Sequence, residues 1–327
     1  MMTAVSMTGT YFLQASVFGA GSGFRITLNA PVPVQDTTVT LPMVSSGRIV
    51  RHRDFPSRFV QSRNIDVWLP ADYEKGKKYD VLYMHDGQML FDSSATWNHR
   101  EWGVDETISR LMKEGRIRDC IVVGIWNSGA GRHADYFPQK PFASMTSSDQ
   151  AIVYGSNRKE GASLFNGQPV RSDDYLRFLV KELKPFIDRN YYTRRGREHT
   201  FTAGSSMGGL ISLYAVCEYP KIFGGAACLS THWPGIFATE GNPFPDAMFA
   251  YMRAKLPAPG RTRIYFDHGD RTLDAMYPPL QQKADEVMRA RGYSAVDHLS
   301  LFFPGKDHSE TAWAERLQQP VLFLLSR

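Results

Sequence analysis

A chain of 327 residues, 43% hydrophobic and 22% charged, has the ordinary balance of a globular protein and enough apolar material for one large core. Its net charge of +5 gathers at Lys75, Lys77, Lys78 and at Arg194, Arg195, Arg197 in turn-like stretches, without the interleaved aromatics of a nucleic-acid-binding module, so no nucleic-acid partner is expected. No run of about 18 apolar residues predicts a transmembrane helix, and Cys120, Cys217 and Cys228 lie in apolar segments without framework or ligand spacing, as buried free thiols do.

Residues 1–40 form a weakly apolar leader, weakly structured or contributing an extra strand. It lacks a basic start, and Gln14, Gly19 and Gly21 interrupt it, which is poor for a secretory signal and leaves cytoplasmic and exported locations both open. From Gly47 onward strand-like and helix-like runs alternate, predicting one α/β domain over 41–327. GRIVRHRDF and RNIDVWLP predict an antiparallel pair; KYDVLYMHDG and CIVVGIWN are buried strands flanking the helix GVDETISRLMKEG. Residues 128–172 are rich in Gly, Ser, Pro and aromatics and predict a loop-rich, cap-like insertion. SDDYLRFLVKELKPFIDRNY predicts one amphipathic crossover helix. HTFTAGSS is then a strand and GGLISLYAVCEYP a helix ending at Pro220. Three further strands, GGAACLST, TRIYFDHG and DHLSLFFPG, alternate with helices, the last of them TAWAERLQQPVLFLLS.

Gly204-Ser205-Ser206-Met207-Gly208 fits G-x-S-x-G between a strand and a helix, the setting in which a sharp turn exposes a nucleophilic serine. A serine hydroxyl needs a base, and that base needs an acid to fix its tautomer. In chain order Ser, acid, His, the base is His308, just beyond the last strand. The acid is Asp274 by preference, with Asp270 the other candidate. Backbone N–H groups of Met207 and Gln88 are the candidate oxyanion donors, although His85-Asp86-Gly87 can also be read as a simple β-turn.

The ordered blocks VLYMHDGQ, IVVGIWN, ELKPFIDRNYYT, GSSMGGL, DHGDRTLDAMY and GKDHSETAW resemble an esterase family that includes enterochelin esterases, feruloyl esterase domains, esterase D and the mycolyltransferases. The likeness runs from about Leu41 to the C-terminus. It implies an α/β-hydrolase fold with a mostly parallel eight-stranded sheet and helices on both faces. It further implies no cofactor and no metal, with catalytic Ser206, Asp274 and His308 and oxyanion donors Gln88 and Met207. In relatives the acid often stands three residues after the glycine, where this chain has Thr272; some enterochelin esterases use a Ser-His pair alone.

The activity so implied is acyl transfer to water through an acyl-enzyme. The expected substrate is a small-molecule or carbohydrate-linked ester: a small acyl, feruloyl-type, acetylated-sugar or siderophore ester. Arg132, Tyr136, His232 and Trp233 are candidate substrate contacts, Arg132 for an anionic group and the rings for stacking. Two other readings stay open: a metal-dependent hydrolase using His85, Asp86, Asp267, His268, Asp270 and His308, and a binding module on a hydrolase scaffold.

Overall fold

The alternation of apolar runs and helical segments builds one open sheet in the computed structural model, which describes residues 13–15, 26–28, 41–157 and 161–326. The chain divides into two compact units, residues 1–40 and 41–327. In the first, strands β1 (Leu13–Ala15) and β2 (Ile26–Leu28) pair antiparallel; the rest of the expected leader lies outside the described residues.

The second unit carries strands β3 (Arg48–Phe55), β4 (Arg63–Leu69), β5 (Asp80–His85), β6 (Cys120–Ile125), β7 (Thr200–Ser205), β8 (Gly225–Leu229), β9 (Arg263–His268) and β10 (His298–Phe302). They form an eight-stranded sheet in the order β10-β9-β8-β7-β5-β6-β4-β3. β4 runs antiparallel to both its neighbours, and every other pairing is parallel, as in the α/β-hydrolase fold. Parallel strands covered on both faces read as continuous apolar runs. In β5, Val81 and Tyr83 join one core while Leu82 and Met84 join the other.

Helix α1 (Val104–Lys113) and the C-terminal α10 (Glu310–Arg316) and α11 (Gln318–Leu325) cover one face through Ile108, Leu111, Trp313 and Leu324. The other face takes α5 (Ser172–Phe178), α6 (Lys184–Asn190), α7 (Met207–Glu218), α8 (Phe244–Lys255) and α9 (Pro278–Ala290). α7 is apolar all round because it is buried all round, from Met207 to Cys217.

Three expectations need correction. The insertion is helical in its first part, with α2 (Arg132–Tyr136), α3 (Gln139–Ala143) and α4 (Ser147–Tyr154), and loop-rich among the described residues from there to Arg171. Helices of one or two turns are held by packing, here of Tyr136, Phe137, Phe142 and Phe165, and leave little periodicity in sequence. The crossover helix is interrupted by a π turn over Leu179–Leu183. Pro185, which lacks an N–H, stands two residues beyond and cannot continue the regular ladder. The last helix is likewise two, meeting at Leu317, with Pro320 in the first turn of α11.

The chain leaves β5 for β6 on one side and returns to β7 on the other side of β5. Such a reversal opens a crevice at the carboxyl ends of the strands. Gln88 follows β5, Ser206 follows β7, Asp274 follows β9 and His308 follows β10.

Candidate active site

Ser206 sits at φ 57°, ψ −122°, a strained conformation for a residue with a side chain. It caps α7, and its N–H is held by the Leu229 carbonyl at 2.9 Å. The turn is tight enough that a Cβ on Gly204 would stand 2.8 Å from the Gly208 backbone, so glycine is required there. Met207 is the first residue of α7, where an N–H has no partner within the helix.

On the next strand ends, His308 Nδ1 lies 2.6 Å from Asp274 Oδ1. Asp274 is fully buried; its Oδ2 accepts the Gly269 N–H at 2.7 Å and the Ser230 hydroxyl at 2.7 Å. Burial pushes its carboxyl up, but the hydrogen bonds from His308, Ser230 and Gly269 outweigh that and hold it below the usual range. Ser230, at φ 41°, also accepts from Trp313 Nε1 at 3.0 Å and Arg316 Nη2 at 2.8 Å. His308 is further fixed by its N–H to Thr272 Oγ1 at 2.9 Å and by the edge of Trp313, ring centroids 5.0 Å apart. Thr272 thus anchors the histidine's backbone from the position where relatives often carry the acid. Asp270 instead closes a turn, accepting the Gly305 N–H at 2.8 Å.

Ser206, His308, Gln88, Met207, Arg132 and His232 line one cavity of about 830 Å³. Asp274 stands behind His308, outside the wall. Gln88 lies in a 3₁₀ turn, Gly87–Met89, led by Asp86 in the left-handed region at φ 57°. A Cβ on Gly87 would come within 2.4 Å of the Gly124 carbonyl carbon, so this loop lies directly on β6. Arg132 binds Asp86 through both Nε (2.6 Å) and Nη2 (2.7 Å). Burial pushes the Asp86 carboxyl up, but Arg132 overrides it and the net shift is downward. The cavity therefore meets a neutralised pair here rather than a free guanidinium.

Tyr136 and Trp233 do not line the cavity. Both are fully buried: Tyr136 packs on His85 and Tyr175, and Trp233 donates Nε1 to Gln281 Oε1 at 2.9 Å between Phe249 and Phe266. Among the wall residues that sequence reasoning missed are Trp97, 82% exposed, and Phe237, 45% exposed; neither belongs to a motif. Also missed was Tyr277, whose hydroxyl lies 2.8 Å from His232 Nδ1 and whose ring meets that of His308 edge-on, centroids 5.8 Å apart.

The six metal-ligand candidates are dispersed in other bonds. His85 lies between Tyr175 Oη (2.8 Å) and Thr202 Oγ1 (3.2 Å), and burial drives its pKa down to about 3. Asp267 is committed to Arg316 and Tyr265, and His268 Nδ1 to the Gly269 carbonyl. Among the described residues no group of three or more His, Cys, Asp or Glu is arranged to hold a metal ion. No helix among them is long and apolar enough to cross a membrane.

Sheet order and the sharp turn at Ser206 are those of the α/β-hydrolase fold. Residues 57–324 match the family described as "Putative esterase", and the chain belongs to that family. It is 24% identical over 174 residues to YbbA of Bacillus subtilis, covering 53% of this chain and 58% of that one. With the carboxylesterase SOBER1 of Arabidopsis thaliana it shares 29% identity over 168 residues, 50% of this chain and 68% of that one. The chain spans about three fifths of the length of its Bacillus relatives. Among solved structures it resembles an IroE-like serine hydrolase from Shewanella oneidensis, at TM-score 0.62 and 17% identity over 85% of this chain and 80% of that one. It also resembles a ferulic acid esterase from Anaeromyces mucronatus, at TM-score 0.56 and 18% identity over 87% and 93%.

Proposed function

We propose that this protein is a serine carboxylic-ester hydrolase in which Ser206 is the nucleophile, His308 the general base and acid, and Asp274 the group that orients His308. One observation carries the reading: a serine at φ 57° heading α7 shares a cavity with a histidine whose Nδ1 is 2.6 Å from a buried carboxylate. Asp274 keeps the proton on Nδ1, leaving a lone pair on Nε2 to receive the serine proton. Ser206 attacks the ester carbonyl, the alcohol leaves with the proton from His308, and water then hydrolyses the acyl-enzyme. The Met207 and Gln88 N–H groups bind the oxyanion.

The cavity of about 830 Å³ suits more than an acetyl group. With Trp97 and Phe237 in its wall, it favours a planar or ring-bearing ester of the feruloyl, acetylated-sugar or siderophore type. Structural likeness to a ferulic acid esterase and to the enterobactin esterase of Shigella flexneri supports the same range. In Ser206→Ala, hydrolysis of p-nitrophenyl acetate is expected to fall by roughly three or more orders of magnitude in kcat with the fold intact. A variant that still turns over the ester ends the assignment. Relative rates on methyl ferulate, acetylated xylan and enterobactin then rank the substrate classes.

A further inference from the structure

Beyond the acid–imidazole pair, three further polar side chains are packed out of solvent: Ser230 just past β8, Asp267 within β9 and Arg316 at the end of α10. None of the three lines the cavity. The Ser230 hydroxyl has one hydrogen and two lone pairs. Trp313 Nε1 at 3.0 Å and Arg316 Nη2 at 2.8 Å can only donate to it, so its one hydrogen goes to Asp274 Oδ2 at 2.7 Å. With the Gly269 N–H also at 2.7 Å, Oδ2 holds two donors, and Oδ1 is left facing His308 Nδ1.

The guanidinium is committed in the same way. Nη2 carries two hydrogens; one goes to Ser230 and the other to Asp267 Oδ1 at 3.0 Å, which leaves none for Asp274 Oδ2 at 4.0 Å. Nε and Nη1 make no hydrogen bond among the described residues, and the Phe303 ring centre lies 5.1 Å from the guanidinium carbon. Asp267 is fixed in turn by the Tyr265 hydroxyl at 2.8 Å and the Ser230 N–H at 3.1 Å. Two fully buried carboxylates therefore share one buried guanidinium, and the cluster keeps a surplus negative charge beside His308.

We infer that Arg316 and Asp267 are positioning residues for the general base: Arg316 turns the Ser230 hydroxyl onto Asp274, and Asp267 offsets the charge of Arg316 so that Asp274 keeps its own for His308. This rests on the serine mechanism proposed above, in which His308 becomes an imidazolium in each half-reaction.

Charges in a dry interior act strongly over several ångströms. A guanidinium 4.0 Å from Asp274 and lacking a counter-ion would oppose protonation of His308; paired with Asp267 it is nearly neutral as His308 meets it. The other ionisable groups around His308 are Tyr277, edge-on to its ring, and His232, Glu310 and the Arg132–Asp86 pair, which share its cavity. Tyr265 faces Asp267. All of these are retained in the variants below, so the differences isolate the buried pair.

The pH dependence of kcat/KM for p-nitrophenyl acetate reports the base of the free enzyme. Asp267→Asn keeps the size and an acceptor for Nη2 and removes only the charge. The acidic limb, where His308 is protonated and cannot act, is expected to move about one unit to lower pH, because the unbalanced guanidinium disfavours the imidazolium. The plateau should fall about tenfold, since the same imidazolium forms in the transition state. In Arg316→Gln the limb should stay in place: burial already holds the Asp267 carboxyl above its ordinary range against the pull of Arg316, and without that pull it takes up a proton. Asp267→Asn combined with Arg316→Gln should return the limb to its wild-type position and recover most of the plateau, whereas two merely structural losses would add. Ser230→Gly suits the φ of 41° and deletes only the hydroxyl, and its plateau is expected to fall about tenfold. A limb that does not move in folded Asp267→Asn, a double variant no better than that single one, or a wild-type plateau in Ser230→Gly overturns the inference while leaving Ser206 and His308 standing. Wild-type kcat/KM in His308→Ala overturns the serine mechanism, and the inference with it.

Discussion

Replacing Asp274 by asparagine exchanges one oxygen for an amide nitrogen and tests the acid without changing its size. Gly269 N–H and the Ser230 hydroxyl both meet Oδ2, each at 2.7 Å. The Gly269 amide can only donate, so the carbonyl oxygen of an asparagine must take that side, and its NH₂ must turn toward His308 Nδ1. A donor there demands a lone pair on Nδ1, which moves the imidazole proton to Nε2 and leaves nothing to accept the proton of Ser206. Enforcing the wrong tautomer in a triad costs roughly four orders of magnitude in kcat, equivalent to about 5.5 kcal/mol of barrier. The assay is initial-rate hydrolysis of p-nitrophenyl acetate from pH 5 to 9, with circular dichroism to establish that the variant is folded. A folded Asp274→Asn enzyme keeping more than about a tenth of wild-type kcat would refute the tautomer argument, and would mean that His308 works without its acid.

Other consequences are open to measurement. Gly87→Ala places a Cβ within 2.4 Å of the Gly124 carbonyl carbon and must lift the loop that carries Gln88. The loss of one oxyanion donor should then cost about 10²–10³ in kcat, and wild-type kcat in a folded variant would exclude the Gln88 N–H from that role. Asp135→Ala removes the carboxylate shared by Arg63 (3.0 Å) and Arg171 (2.6 Å) at the base of the insertion. With a buried guanidinium left unpaired, urea titration should show a loss of about 3–5 kcal/mol, and a loss below about 1 kcal/mol would contradict the pairing as an anchor. Burial, aided by Glu106, Asp105 and Asp92, raises the Glu101 pKa to about 7. The folded state then holds more protons than the unfolded chain between about pH 4.3 and that value. Stability should fall as pH rises through this window, and Glu101→Gln, which has no proton to lose, should melt progressively higher than wild type across it and equally below it. A melting difference that does not change with pH would count against this.

The sequence disclosed the parts of the site that rest on local pattern. A continuous apolar strand, a turn of small residues and a wholly apolar helix leave few alternatives to the bend at Ser206. Chain order then separates His308 from the other eight histidines. Asp274 over Asp270 was legible only as a preference, because both follow β9 and the choice depends on which side of the 3₁₀ turn faces β10. Tyr136 and Trp233 show where residue type fails: an aromatic after a strand end can join the cavity wall or the core. Here packing from the insertion helices and from α8 and α9, far away in sequence, buries both. Tyr277 was hidden for the same reason, since its partners His232 and His308 lie on two other strand ends. The breaks at Leu179–Leu183 and Leu317 were blurred by apolar periodicity that continues across them.

Incubation with a fluorophosphonate, followed by intact-mass and peptide mass spectrometry against residual esterase activity, tests the nucleophile most directly. One adduct per chain on Ser206, with activity falling in step with labelling and no adduct in Ser206→Ala, is the expected result. An enzyme that is fully labelled yet still hydrolyses p-nitrophenyl acetate, or an active one labelled elsewhere, would contradict the account.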